Sequence, residues 1–497
     1  MSQAPLRLHP ANPKLFEFRG APLVLVCATE HYGAVMNRPF DFKKHLADAA
    51  EKKQTLTRLF TLFRELQSPI NPYSTCKPES PDYIAPFRRT GSGMAHDGQP
   101  KYDLDQWNPE FFERLHQFLS LASNHGIVVE VVLLSNTYAP GIWTLNPLHR
   151  ENNTNNLEEI RWPEYMCTRH PKLFARQCAH VRKIVEETNP YDNIIYEICN
   201  EPGGLAEPGS PTVEEVNVWQ MAIAEIIRQT EAKLPNRHLI AGQEAFAYRL
   251  PDESRRCGPD VHQFADQSFD TLAFDVVNMH PLSNMIYRGK HLDLGQFMMA
   301  RLRLRNLRQY CRDLYQERKP LNLDEDNCAS QYKDINGWTI HRKRAWMTLL
   351  CGAHYDMIDF SIVNYCETGT PESQRCLRTW MKHLSEFVHS LDLVQSRPLP
   401  LGLTGIPDHV IDSAFGVHEK DFAIYFADAR ELDEPGHGDS IKLDLVIPLE
   451  AHEHEIRLYS PTSGLYSPSL HLRGEPKTHL HIPPFTHDIV IRITRVH

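Results

Sequence analysis

The chain has 497 residues, 41% of them hydrophobic and 23% charged, with a formal net charge of −10. That length suits one large and one small folded unit, and the composition excludes a disordered chain. Mixed charge signs without a long basic run exclude a surface built for polyanions, so no nucleic-acid partner is expected.

The best apolar stretch, Leu23 to Ala28, is too short to span a bilayer, and no membrane partner is expected. Met1 to Arg7 lacks the charged-then-apolar pattern of a secretory leader. The 11 cysteines are odd in number and contain no CxxC pair. Cys27, Cys199 and Cys351 lie in apolar runs that suit reduced, buried thiols, so a cytoplasmic location is expected.

In chain order, Leu6 to Arg19 reads as a short hairpin that turns at Pro10 to Pro13 and closes the floor of the larger unit. Eight strand candidates come next: Pro22 to Cys27, Thr55 to Phe60, Ile127 to Leu134, Asn193 to Cys199, His238 to Gly242, Phe274 to Met279, Pro320 to Leu323 and Met357 to Val363. Helical patterns separate them, as in Phe111, Leu115, Phe118 and Ala122 before the third strand. Near-continuous apolar strands alternating with helices predict an α/β fold, a closed (β/α)8 TIM barrel over residues 1–395. An open doubly wound sheet would want a Gly-rich phosphate loop, and the sequence has none.

Two connections are long, Glu65 to Asp105 and Ser135 to Pro163, and both come after strand C-terminal ends, where barrel enzymes keep their active sites. Beyond the helix Thr379 to Leu391, Arg397-Pro398-Leu399-Pro400 reads as a linker. Short alternating runs (Phe422 to Ala427, Ile441 to Ile447, Glu455 to Tyr459, His479 to Ile482, Asp488 to Thr494) then predict a small antiparallel β-sandwich over residues 396–497.

The strongest chemical signal is Asn200-Glu201-Pro202, closing the fourth strand. Cleaving a glycosidic bond needs an acid to protonate the leaving oxygen and a second carboxylate across the anomeric carbon. Leu323-Asp324-Glu325-Asp326, at the end of the seventh strand, supplies the second group. Adjacent carboxylates raise one another's pKa, so Asp324 or Asp326 takes the role if Glu325 points away.

These motifs resemble the clan A glycoside hydrolases, especially the cellulase-like family 5. The resemblance extends to the acid/base strand Asn189 to Pro202, to Thr57-Arg58-Leu59-Phe60, and to Tyr459 to Gly464 and Pro484 to Asp488 in the tail. It implies Glu201 as acid/base, Glu325 as nucleophile, Asn200 on the sugar 2-hydroxyl, Arg58 keeping Glu325 ionised, and His280 orienting the carboxylates. The implied activity is retaining hydrolysis of a β-linked oligosaccharide or glycoside, with no metal or organic cofactor. Two aromatic positions depart from the family pattern: Leu282 stands two residues after His280, where tyrosine is usual, and Asn364-Tyr365 stands where a tryptophan ends strand eight.

His31, at the end of the first strand, and Tyr138 and Trp143, in the loop after the third, are further substrate-binding candidates. Trp143 and Trp162 equally suit packing that loop down. The pairs His452/His454 and His479/His481 have spacing a metal could use on a strand but lack a third ligand. Two other readings compete: a non-catalytic carbohydrate-binding protein on a degenerate barrel, and a metal-dependent barrel hydrolase. The second would want His-x-His on strand one, where the chain has Thr29-Glu30-His31-Tyr32.

Overall fold

The computed structural model describes residues 4–29, 33–64, 81–205, 208–248, 262–264, 268, 270–283, 285–295, 300–326 and 335–496. Eight parallel strands form one sheet: β1 (Val26–Thr29), β2 (Leu56–Phe60), β3 (Val128–Ser135), β4 (Ile194–Asn200), β5 (Leu239–Gln243), β6 (Val276–Asn278), β7 (Leu321–Leu323) and β8 (His354–Ile358). The ladder runs β1-β8-β7-β6-β5-β4-β3-β2. Backbone and side-chain hydrogen bonds complete the closure between β1 and β2. The Thr55 backbone N–H donates to Val26 O at 3.0 Å, and the Val26 N–H donates to Thr55 Oγ1 at 2.9 Å. Gln54 Oε1 accepts the Ala28 N–H at 3.2 Å. The result is a TIM barrel.

Helices α1 (Phe42–Glu51), α2 (Pro109–His125), α3 (Pro171–Thr188), α4 (Val213–Glu231), α5 (Leu304–Tyr315), α6 (Ile335–Leu349) and α7 (Thr379–Val388) surround it. Their starts reflect local chemistry. Asn108 caps α2 ahead of Pro109, and Thr212 with Glu215 forms a capping box on α4. Gly126 ends α2 at φ 74°, a left-handed turn that feeds the chain into β3. Among the described residues no helix is long and apolar enough to cross a membrane.

Two expected strands are displaced. Pro22 to Cys27 is split: Ala21–Leu23 pairs with Asn12–Phe18 in the floor sheet, and the barrel strand starts at Val26. The eighth strand is His354–Ile358, because the polar trio His354-Tyr355-Asp356 lies inside the ladder. Beyond it Asp359 turns the chain by accepting the Ser361 N–H at 2.9 Å.

Inside the barrel the side chains form layers. Leu56, Val128, Ile195, Ala241 and Val276 make an apolar layer, sealed from below by Leu6, Phe16 and Phe18 of the N-terminal hairpin. Two residues further along the same five strands, and so on the same face, stand Arg58, Glu130, Glu197, Gln243 and Asn278, all buried. This polar layer carries the rim above it.

The tail adds β9 (Arg397–Leu399), β10 (Val410–Val417), β11 (Asp421–Asp428), β12 (Ile441–Ile447), β13 (Glu453–Tyr459), β14 (Leu470–Arg473), β15 (Thr478–Phe485) and β16 (Asp488–Arg495). Six form an antiparallel sheet, β9-β10-β11-β16-β13-β14, and β12 pairs with β15. The expected linker at Arg397 to Pro400 is therefore in part an edge strand, a place where Pro398 is tolerated. One face of the larger sheet (Ala414, Phe422, Ile424, Ile491) packs on Ile441, Leu443 and Leu480 of the smaller one. Its other face (Phe415, Tyr425, Val490) packs on Trp346 and Phe387 of the barrel helices. The sandwich buttresses the barrel. Arg342 of α6 locks the junction by pairing with Asp488 at 2.7 Å, both groups buried.

Candidate active site

Asn200 is the last residue of β4 and Glu201 the first beyond it, while Glu325 stands just past β7. One carboxylate oxygen of each glutamate and a ring nitrogen of His280 all lie within 4.8 Å of one another. Glu325 is 4% exposed and Glu201 more open, its side chain 21% exposed. Glu201 has φ 49°, a left-handed conformation that a non-glycine residue adopts only under constraint. The constraint is visible: its N–H donates to Gln243 Oε1 at 2.8 Å, and its carbonyl accepts from Asn136 Nδ2 at 2.9 Å.

Arg58 joins the two halves of the site from below. Nη1 donates to Glu325 Oε2 at 2.8 Å, Nη2 to Glu197 Oε2 at 2.8 Å, and Nε to the same oxygen at 3.1 Å. Nη2 also reaches Asn200 Oδ1 at 3.0 Å. With its acceptor oxygen held, Asn200 turns Nδ2 toward the Tyr138 hydroxyl at 2.6 Å. His280, two residues beyond β6, brings Nδ1 to 2.9 Å from Glu201 Oε1.

Burial and pairing divide the carboxyls. Burial raises Glu325 above its ordinary range more than His280 and Arg58 lower it. For Asp324 burial pushes the same way, but His280 and Arg58 outweigh it and hold that carboxyl low. Burial, opposed by Arg58, brings Glu197 to about 7. Burial, reinforced by Glu197 and Asp324, pushes Glu130 well up, and burial does the same for Asp356. Burial thus favours the protonated form of Glu130 and Asp356 in the barrel interior, whereas Asp324 is favoured as the anion.

Of the residues singled out from sequence, Glu201, Glu325, Asn200, Arg58, His280 and Tyr138 come together. His31 lies outside the described residues. Trp143 does not present a face for substrate: it is 5% exposed, donates Nε1 to Ile160 O at 3.3 Å and packs against His149 and Tyr165. It pins the loop instead, as the buried Trp162 does. Asp326 faces away from the rim, where Arg344 Nε at 2.6 Å and the Tyr355 hydroxyl at 2.8 Å hold it. Asp324 lies fully buried under Gln243 and His280.

Sequence reasoning passed over Gln243, Glu130 and Glu197. The signal was a single polar residue set in an otherwise apolar strand, as in Val-Val-Glu-Val-Val and Ile-Ile-Tyr-Glu-Ile. Two triads, Glu201/His280/Glu325 and Glu130/Glu197/Asp324, bring ligand-type atoms within range of a cation. Arg58 already supplies positive charge to both, through Glu325 and through Glu197 and Asp324.

A family profile described as a domain of unknown function, DUF6298, matches residues 76–165, which include an antiparallel pair after β2 (Phe87–Met94 with Pro100–Trp107) and the loop after β3. No curated protein matches the sequence. Among solved structures, a glycoside hydrolase family 5 protein from Bacteroides vulgatus is 12% identical with a TM-score of 0.62, covering 99% of this chain and 93% of its own. A second structure, named a glycoside hydrolase, is 11% identical with a TM-score of 0.57, covering 99% and 97%. At that identity the likeness establishes a shared fold across both the barrel and the sandwich.

Proposed function

We propose that the protein is a retaining glycoside hydrolase acting on a β-linked oligosaccharide or glycoside. The observation that carries this reading is the approach of Glu201 and Glu325 to within 4.8 Å on one barrel rim. Retaining enzymes hold their carboxyls about 5–5.5 Å apart, whereas inverting enzymes leave about 6.5–9.5 Å for a water. The glycoside hydrolase name carried by proteins of the same fold supports the assignment.

In the first step a Glu325 oxygen attacks the anomeric carbon while Glu201 gives its proton to the leaving oxygen, and the glycosidic C–O bond breaks. In the second, Glu201 takes a proton from water, whose oxygen displaces Glu325 and frees the sugar with its original configuration. Arg58 offsets the cost of holding Glu325 ionised in a buried place. Asn200, fixed by Arg58 and Tyr138, meets the 2-hydroxyl of the reacting sugar.

A panel of aryl glycosides, with the anomer of the first product observed by NMR, tests the proposal. Glu201→Gln and Glu325→Gln are each expected to lose at least about 100-fold in rate while remaining folded. An inverted product, or a wild-type rate in either variant, refutes it.

A further inference from the structure

The two chemical steps of retaining hydrolysis do not involve Gln243, yet its side chain touches three groups of the site. Oε1 accepts the Glu201 backbone N–H at 2.8 Å, while Nε2 lies 3.1 Å from Asp324 Oδ2 and 2.7 Å from His280 Nε2. Gln243 is 3% exposed and His280 6%.

Neighbours decide which way a side-chain amide faces. A backbone N–H only donates, so the amide atom opposite Glu201 is the oxygen. The Asp324 carboxylate, paired with Arg58 Nη2 at 3.4 Å, only accepts, so the atom opposite it is the nitrogen. Turning the amide over would set NH2 against N–H and oxygen against carboxylate, two repulsive contacts in a buried place. The amide nitrogen therefore directs one N–H to Asp324 and the other to His280 Nε2, and a ring nitrogen that receives a hydrogen bond carries no proton.

We infer that Gln243 is a positioning residue that holds His280 as the neutral Nδ1–H tautomer, aiming the ring's single N–H at Glu201 Oε1. Filling Oε1 with that donor leaves Glu201 to carry its transferable proton on Oε2. The orientation of the general acid is then set from β5, through a ring on β6, and the strained Glu201 backbone is fastened by the same amide. This consequence for catalysis rests on the proposed role of Glu201; the state of the ring does not.

The charged groups around His280 act against this arrangement. Burial opposes a second proton on the ring, whereas Asp324 and Glu325 of the β7 end and Glu201 of the β4 end draw one toward it. Gln243 resists by occupying the Nε2 lone pair. Without it, Nε2 would take a proton and donate to Asp324 Oδ2, already 3.4 Å away.

Long-range 1H–15N spectra of protein labelled in its histidine rings test the inference, with the His280 signals assigned by their loss in His280→Asn. In the wild type at neutral pH, Nε2 is expected to resonate as an unprotonated, pyridine-type nitrogen and Nδ1 as a protonated one. In Gln243→Met both nitrogens are expected to be protonated at the same pH. The resulting positive charge beside Glu201 is expected to move the alkaline limb of kcat/KM on an aryl glycoside about 1–3 units lower. A protonated Nε2 in the wild type overturns the inference, whether or not the variant folds, and so does an unchanged ring in folded Gln243→Met. If the ring behaves as stated but no glycoside is cleaved, the hydrolase reading fails and the tautomer assignment stands.

Discussion

Replacing Arg58 with methionine keeps a long apolar stem and removes the guanidinium that links Glu325, Glu197 and Asn200. All three partners are buried, so the deletion leaves carboxyls without their counter-charge. Removing one partner of a buried ion pair costs about 3–5 kcal/mol. A nearby opposite charge lowers a carboxyl pKa by about 1–3 units, so losing it raises Glu325 by a similar amount. At about 1.4 kcal/mol per unit, a rise of about 2–3 units corresponds to about 3–4 kcal/mol, in agreement with the first figure.

An effect of that size is open to two measurements. The acid limb of kcat/KM on an aryl glycoside should move up by about 1–3 pH units, because Glu325 must be ionised to act as the proposed nucleophile. Urea unfolding should show the larger loss of stability at pH 8 and a smaller one at pH 5. The orphaned carboxyls have folded pKa values above their unfolded ones, so their penalty is absent below the unfolded pKa and grows as pH rises through the folded one. Arg58→Lys, which keeps the charge but loses the fork, should fall between. An unmoved acid limb, or an equal loss at both pH values, would refute the electrostatic reasoning.

Glu130→Gln keeps a neutral group where the wild type holds a raised carboxyl. Wild-type stability should fall relative to the variant by up to about 1.4 kcal/mol per pH unit above the ordinary glutamate pKa, and parallel pH–stability curves would contradict this. Asp326→Asn breaks the buried pair with Arg344 and should cost about 3–5 kcal/mol in denaturant unfolding. It should leave the pH–rate profile of the folded protein unchanged, and a shifted profile would put Asp326 back in the chemistry. Trp346→Ala removes a fully buried ring stacked on Tyr425 at 5.7 Å and should cost about 3–5 kcal/mol. Its calorimetric trace should show the barrel and the sandwich losing stability together; a sandwich that melts as before would rule out the buttress.

The barrel was legible because buried parallel strands are written as apolar runs of fixed length between amphipathic helices. The rim was legible because Glu201 and Glu325 each stand two residues past the end of such a run. The polar layer beneath was not, since one Glu130 within Val-Val-Glu-Val-Val barely changes a hydrophobic pattern; only closure shows that its face meets Arg58, with Nε 4.0 Å away. Gln243 was hidden for a related reason: its meaning lies in three partners from β4, β6 and β7, none near it in sequence. The edge strand Arg397–Leu399 was read as a linker because Pro398, with Pro400 beyond it, is a breaker anywhere but on an outer strand. Trp143 showed only its residue type in the sequence, and its direction depended on how the long loop folds over Tyr165.

The N-terminal hairpin does more than finish the barrel. Leu6, Phe16 and Phe18 act as a stopper against the apolar layer, and Lys14 O bonds His354 Nε2 at 2.9 Å to seat it. Without that plug, water would reach the acids above from the far end, solvate their anions and strip Arg58 of its dry surroundings. A segment far from the rim therefore governs how readily the buried carboxyls ionise, and Leu6, Phe16 and Phe18 belong to the proposed chemistry as much as to the architecture.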